Sequence, residues 1–198
     1  MNINKLWLII VMFAVMAVPA MAAVNNAEIY QPYDGALTDA TGNGFIGSLS
    51  GTAAVQTSVF KVGNGSLYFN ANSNNALAIN NYTSTLAGDN AGTISYWLQP
   101  AAAMNDYFLG IGGVSDNNNR YENGILANGS YIIAMRANSG SPAWQAYPTA
   151  PAVGVWQLLT ITQDGSNAKI YINGALERTI SSGTWFNDMS ALNRFIIG

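Results

Sequence analysis

The chain has 198 residues, seven of them basic and ten acidic, with no His and no Cys, and charged residues make up only 9% of it. Without His, nucleophilic Ser-His or Cys-His pairs and imidazole ligation of zinc are excluded, and with no run of Lys or Arg the sequence carries no electrostatic footprint for nucleic acid. An exported chain without Cys relies on packing instead of disulfides, and aromatic and β-branched residues are frequent enough to build a core.

In chain order, Lys5, the apolar run 6–18 and the small residues of Ala20-Met21-Ala22 read as a signal peptide cut after Ala22. The run is shorter than the ~20 residues of a membrane-crossing helix, so the mature chain, 23–198, is expected to be one secreted or cell-surface domain with no membrane span. Removal of Lys5 leaves six basic against ten acidic residues, a net charge of minus four.

Short alternating apolar segments follow: Leu67 and Phe69; Leu77 and Ile79; Ile94, Tyr96 and Leu98; Tyr107, Leu109 and Ile111; Tyr131, Ile133 and Met135. Each places one row of side chains toward a shared interior, as strands with period two do. Residues 83–90 can hold a single helical turn. The stretches 116–120 and 138–142 are rich in Asn, Ser and Gly and read as exposed connections. Residues 156–163 read as a strand and 164–167 as a turn. Residues 168–172 and 175–180 then flank Asn173-Gly174, the dipeptide of a two-residue type I′ hairpin. Trp97 and Trp156 are expected in the core, and Trp185-Phe186 as a cap on one end of the fold. The fold class is all-β, a two-sheet antiparallel β-sandwich.

Several landmarks stand in a telling order. Tyr33-Asp34-Gly35 precedes Asp39-Ala40-Thr41-Gly42-Asn43-Gly44; then come Gly65-Ser66-Leu67-Tyr68-Phe69, Thr93-Ile94-Ser95-Tyr96-Trp97-Leu98-Gln99-Pro100, and a Trp, strand, Asp-Gly turn and Tyr-Ile-Asn-Gly run from Trp156 to Gly174. This order resembles the laminin G-like jelly rolls of the concanavalin A-like lectin and glucanase superfamily. The resemblance implies a jelly-roll sandwich over residues 29–198. It also implies a further strand after the segment 193–198, so the chain is expected to lack its final strand and to be a piece of a longer protein.

Glucanases of that superfamily carry paired carboxylates on one strand, spaced for glycoside hydrolysis. No predicted strand here alternates acidic residues, which argues against an enzyme. Sugar binding needs an aromatic face flanked by hydrogen-bonding groups. Trp144 with Gln145 and Tyr147, and Tyr121 with Arg120, Asn118, Asn119 and Glu122, are the candidates, with core packing as the competing role for both Trp144 and Tyr121. Asp39 and Asn43 are candidate ligands of calcium, which takes oxygen donors; the same residues beside Gly also make tight turns, and both readings stand. The expected function is a secreted recognition module for a glycan. The alternatives are a structural or adhesive module that binds an extracellular surface protein, and an accessory domain of a glycoside hydrolase.

Overall fold

The computed structural model describes residues 33, 36–37, 39–70, 74–100, 105–113, 116–138, 142–149 and 152–198. The signal peptide read at 1–22 and the Asp34-Gly35 pair lie outside them. Four short strands come first: β1 (Ser48–Ser50), β2 (Ala54–Gln56), β3 (Ser66–Tyr68) and β4 (Ala76–Ala78) precede a one-turn helix, α1 (Thr83–Leu86). Longer strands follow: β5 (Gly92–Leu98), β6 (Asp106–Gly113), β7 (Asp116–Ile125) and β8 (Tyr131–Arg136). The remainder are β9 (Trp144–Ala146), β10 (Gln157–Gln163), β11 (Asn167–Ile172), β12 (Ala175–Ser181) and β13 (Arg194–Ile197).

They form a seven-stranded sheet in the order β1-β4-β13-β6-β7-β8-β9, a four-stranded sheet β12-β11-β10-β5 and a small β2-β3 ladder. Every pairing is antiparallel. The last strand, β13, runs in the interior of the larger sheet between β4 and β6.

The period-two rows meet as the alternation predicts. Leu77, Leu109, Ile111, Tyr121, Ile133 and Met135 of the larger sheet are buried against Leu159, Ile161, Ala168 and Ile170 of the smaller one. Polar side chains also cross the interior. Asn123, fully buried, donates through Nδ2 to the Tyr96 hydroxyl at 2.7 Å and to the Tyr121 hydroxyl at 3.1 Å. Since β5 and β7 lie in different sheets, this amide ties one sheet to the other. The Tyr131 hydroxyl donates to Gln157 Oε1 at 3.0 Å and makes a second tie. Burial pushes the Tyr96, Tyr121 and Tyr131 hydroxyls well above the ordinary phenol range, so all three stay neutral donors and acceptors at working pH.

The predicted hairpin is present. Asn173 and Gly174 take φ of 52° and 84°, the paired positive angles of a type I′ turn, and Asn173 Oδ1 accepts from the Leu158 amide at 2.9 Å. Trp185 and Phe186 are buried against the Tyr121 ring, at centroid distances of 5.9 and 5.8 Å.

Three expectations need correction. The stretch 116–120 is not a loop but the start of β7: Asp116 pairs with Gly113 and Arg120 with Gly112 of β6, and Arg120 also pairs with Arg136 of β8; pairing at both ends of the stretch outweighs the turn preference of Asn. Trp97 faces away from the core. It is half-buried on the outer side of β5, where the Lys61 ammonium sits 5.1 Å from its ring centroid. Tyr107 does not join Leu109 and Ile111, because the β6-β7 register slips between Tyr107 and Leu109. This bulge turns Phe108 inward, 6.1 Å from the Tyr96 ring and 6.2 Å from Tyr131, and leaves Tyr107 on the opposite face, 42% exposed.

The hairpin gives a stability test. Gly174→Ala places a Cβ on a left-handed residue and is expected to lower the unfolding free energy by about 1–2 kcal/mol in urea melts. At Gly110, whose Cβ position has nothing within 4 Å, the same change is expected to stay within about 0.5 kcal/mol.

Candidate functional site

The outer face of the seven-stranded sheet is where unusual side chains collect. The pleat and register put them in three cross-strand rows. The first runs Arg194, Gly112, Arg120, Arg136. The second runs Ile196, Gly110, Glu122, Ala134, Gln145. The third runs Tyr107, Gly124, Ile132, and Tyr147 follows β9 directly at its end. Glycine and alanine make the floor of this face, and aromatic, cationic and amide side chains stand around it.

The glycines have distinct jobs. A Cβ on Gly124 would lie 2.6 Å from the Asp106 carbonyl oxygen and 2.9 Å from Tyr107 Cδ1. Its absence therefore lets the Tyr107 ring lie across β7. A Cβ on Gly112 would lie 2.3 Å from the Asn119 carbonyl oxygen. Gly110 differs, since nothing occupies the space above it. A gap thus opens in the middle of the sheet face, with Glu122 on one side and Ile196 on the other. A second hollow, of about 220 Å³, lies beside Tyr107 and is lined by Asn105, Asp106, Ile125 and Leu126.

The charged centre is Glu122, whose side chain is only 5% exposed. Its Oε2 lies 2.7 Å from Arg120 Nε, and its Oε1 lies 3.7 Å from Arg136 Nε. Burial raises the Glu122 carboxyl above its ordinary 4.5, and the two guanidiniums pull it down without cancelling that effect. The Tyr107 hydroxyl is raised chiefly by burial; Glu122 and Tyr147 add to the rise, while Arg120 and Arg136 oppose it. One electrostatic neighbourhood thus holds Tyr107, Arg120, Glu122, Arg136 and Tyr147.

The residues singled out by sequence divide sharply. Tyr121 and Trp144 are corrected to core residues. Tyr121 is fully buried, and Trp144 is 4% exposed, packs edge-on against Tyr121 at 6.4 Å and donates through Nε1 to the Thr184 carbonyl at 3.2 Å. Neither presents a ring face to solvent, because odd-numbered positions of β7 and the matching positions of β9 point inward. Asn119 is corrected likewise. It is buried, accepts through Oδ1 from the amides of Asn138 and Ser190 at 3.1 Å each, and donates through Nδ2 to the Ser190 hydroxyl at 3.2 Å. It pins two loops together. Gln145 and Tyr147 do lie on the open face, with Tyr147 51% exposed. Tyr107, Arg136 and Arg194 are the members that sequence reasoning missed; glycines at 110, 112 and 124 inside strands are the signal of a bulge and of close approach that pointed there.

The Asp39 loop closes on itself. Asp39 Oδ1 accepts from the Thr41 amide at 3.0 Å, and Oδ2 accepts from the Thr41 hydroxyl. The Asn43 amide donates to Thr41 Oγ1 at 3.3 Å. No group of three or more carboxylates stands together among the described residues.

Two sheets packed face to face in this strand order define a jelly-roll β-sandwich. The chain belongs to the Laminin_G_3 family of the concanavalin A-like lectin/glucanases superfamily, which it matches over residues 70–198. Among curated proteins no sequence matches it. Solved structures share the fold at low identity. Domain 4 of AbnA, a GH43 extracellular arabinanase from Geobacillus stearothermophilus in complex with arabinotriose, is 18% identical with a TM-score of 0.61; the match covers 85% of this chain and 81% of that one. A botulinum neurotoxin type C chain, whose cell entry depends on interaction with two ganglioside molecules, is 19% identical with a TM-score of 0.64, over 89% of this chain and 44% of that one. The CBM40 of Ruminococcus gnavus IT-sialidase bound to alpha2,3 sialyllactose is 18% identical with a TM-score of 0.50, over 58% of this chain and 66% of that one. The chain therefore spans less than two thirds of the sialidase module and less than half of the toxin chain.

Glu122 gives the site a pH signature. Its pKa in the folded chain lies above that of the unfolded chain, so its contribution to stability is full below about 4.5 and is lost as the pH rises through the folded value. Wild type is expected to lose stability relative to Glu122→Gln over that rise and to hold a constant difference above it. Urea melts of both proteins across the range check this; a difference that does not vary with pH would mean that burial leaves the carboxyl unshifted.

Proposed function

We propose that this protein is a non-catalytic carbohydrate-binding module that acts outside the cell, and that it takes its ligand on the outer face of the seven-stranded sheet. The observation that carries the reading is the convergence of Tyr107, Tyr147, Gln145 and the Arg120-Glu122-Arg136 cluster on one sheet face, over buried Gly124 and Ala134. Pyranose rings stack their C–H faces on aromatic rings, and their hydroxyls take hydrogen bonds from amides and charged groups. Both partners are present here on one open face.

The family and the fold shared with sugar-binding modules support the same class. Against catalysis stands the chemistry of Glu122. Glycoside hydrolysis uses two carboxyl groups at set separations; in this cluster one carboxylate lies between two guanidiniums. Secretion is supported by the apolar segment at 6–18 and the small residues before Ala23.

Retention on an immobilised polysaccharide panel tests the reading. Tyr107→Ala and Tyr147→Ala are each expected to weaken binding about tenfold, in line with the loss of one stacking contact, and to leave the melting temperature near that of wild type, since both rings are exposed. Failure of the wild-type protein to bind any glycan would favour an adhesive, protein-binding module instead.

Calcium at the Asp39–Asn43 loop belongs to the same proposal. Asp39 and Asn43 would supply side-chain oxygens, and the ion would replace the two Thr41 hydrogen bonds on the Asp39 carboxylate. The expected result is a rise in melting temperature on adding calcium, reversed by chelation. An unchanged melt assigns the loop to turn formation alone.

A further inference from the structure

One end of the β6-β7 pair opens into a hollow. The last rung of the ladder there is Asp106 opposite Ile125, and neither Asn105 nor Leu126 continues it. The hollow beside that rung has a volume of about 220 Å³ and is lined by Asn105, Asp106, Tyr107, Ile125 and Leu126. The turn after β7 uses up the backbone of Leu126: its amide donates to the Ser130 carbonyl at 2.9 Å, and its carbonyl accepts from the Gly129 amide at 2.8 Å. Leu126 therefore offers the hollow its apolar side chain, next to that of the buried Ile125.

The remaining lining is polar and accessible. Asn105 and Asp106 are exposed, as is Tyr107. Asp106 Oδ1 accepts from the Tyr107 amide at 2.8 Å, which fixes the orientation of the carboxylate, while Oδ2 accepts no hydrogen bond among the described residues. Asp106 also belongs to no ion pair among them. Gly124 lets this arrangement form, because a Cβ there would strike both the Asp106 carbonyl oxygen and the Tyr107 ring.

These groups select a ligand by its chemistry. An ionised carboxylate only accepts hydrogen bonds, so it takes hydroxyl donors and repels carboxylate, sulfate and phosphate. Its two oxygens can take two adjacent hydroxyls of one ring, and hydrogen bonds to an ionised acceptor are roughly twice as strong as neutral ones. The Asn105 amide both donates and accepts, which suits a third hydroxyl. Tyr107, Ile125 and Leu126 supply the apolar surface that the C–H groups of a sugar need. Pockets that enclose drug-sized ligands measure ~300–1,000 Å³; the smaller hollow here matches a single sugar ring.

We infer that this hollow is the specificity subsite of the module, and that it takes one neutral sugar unit at the end of a glycan, with two adjacent hydroxyls on the Asp106 carboxylate and a C–H face on Tyr107. This deepens the carbohydrate reading and rests on it. Asp106 is then the residue that decides which sugar is accepted, and Tyr107 serves both the hollow and the sheet face beside it.

The test uses the full purified protein with the methyl glycosides of glucose, galactose, mannose and xylose, read by saturation-transfer NMR and titration calorimetry. At least one neutral glycoside is expected to bind, its monodeoxy analogues at either of two adjacent carbons about tenfold more weakly, and its uronate about threefold more weakly. Asp106→Ala is expected to lower the affinity about tenfold. Asp106→Asn keeps an acceptor for the Tyr107 amide and is expected to remove the preference for the neutral sugar over its uronate. Asn105→Trp, which fills the hollow from an exposed position, is expected to abolish glycoside binding with the fold intact by circular dichroism. Glu177→Gln, on the four-stranded sheet, removes the same charge as Asp106→Asn and is expected to change nothing. Unaltered affinity in both Asp106→Ala and Asn105→Trp, or retention of polysaccharide by a protein that binds none of the glycosides, would overturn the inference while leaving the carbohydrate reading in place. Equal effects of Asp106→Asn and Glu177→Gln would overturn it too, by showing a net-charge effect without a site. Absence of binding to every glycoside and polysaccharide would remove both.

Discussion

A pleated sheet cannot choose the composition of its two faces independently. Every second residue of β6, β7, β8 and β13 must be apolar to fill the interior, and the residues between them are thereby delivered to one outer surface in fixed cross-strand rows. In this protein the inner rows are set by burial of Leu109, Ile111, Tyr121, Ile133 and Met135 against the smaller sheet, and the Asn123 amide holds the sheets in that register through Tyr96. A slip of one residue would put Arg120, Glu122 and Arg136 in the core and unpair the Asn123 amide. The outer face inherits its order from that constraint. Binding chemistry there is a consequence of packing on the other side.

The bulge in β6 between Tyr107 and Leu109 breaks the pleat, and it changes the outer face more than the inner one. Without it, Tyr107 would follow Leu109 and Ile111 inward. With it, Phe108 supplies the inner ring and Tyr107 becomes available outside, lying over the bare backbone of Gly124. Bulges of this kind re-aim a side chain at modest cost to the ladder. Gly124 has no side-chain role of its own, yet the placement of Tyr107 depends on it.

Charge on the same face follows the opposing demands of desolvation and pairing. A carboxylate as little exposed as Glu122 loses hydration, and only close cationic partners offset that loss. Two guanidiniums do so incompletely, which is why its carboxyl remains raised. Removing either arginine would leave the other with a buried anion, so the three residues behave as a unit. Membership of the Laminin_G_3 family accounts for the scaffold. Relatives in fold at 17–19% identity share the sandwich, and what distinguishes this chain is the set of side chains that its own register displays.

Much of the architecture was legible without coordinates. The Asn173-Gly174 turn, the alternation in 131–135 and 157–163, and the helical turn at 83–86 are local: each depends on residues a few positions apart, where backbone preference and period two speak directly. The candidate site was legible only in part. Gln145 and Tyr147 are suggested by an amide and an aromatic close together in sequence, and both lie on the outer face. Tyr121, Trp144 and Asn119 stand as surface candidates in the sequence, with core packing as the competing role for both aromatics, because turn-rich loops border them, whereas the pleat sends alternate residues of the same segment to opposite sides. By itself the sequence determined the all-β class, the hairpin, the apolar rows and the family to which the chain belongs. The tertiary structure alone decided which face each aromatic occupies and that Arg194 joins Arg120 and Arg136, because bulges and strand order depend on pairing between segments tens of residues apart, and no local pattern encodes that pairing.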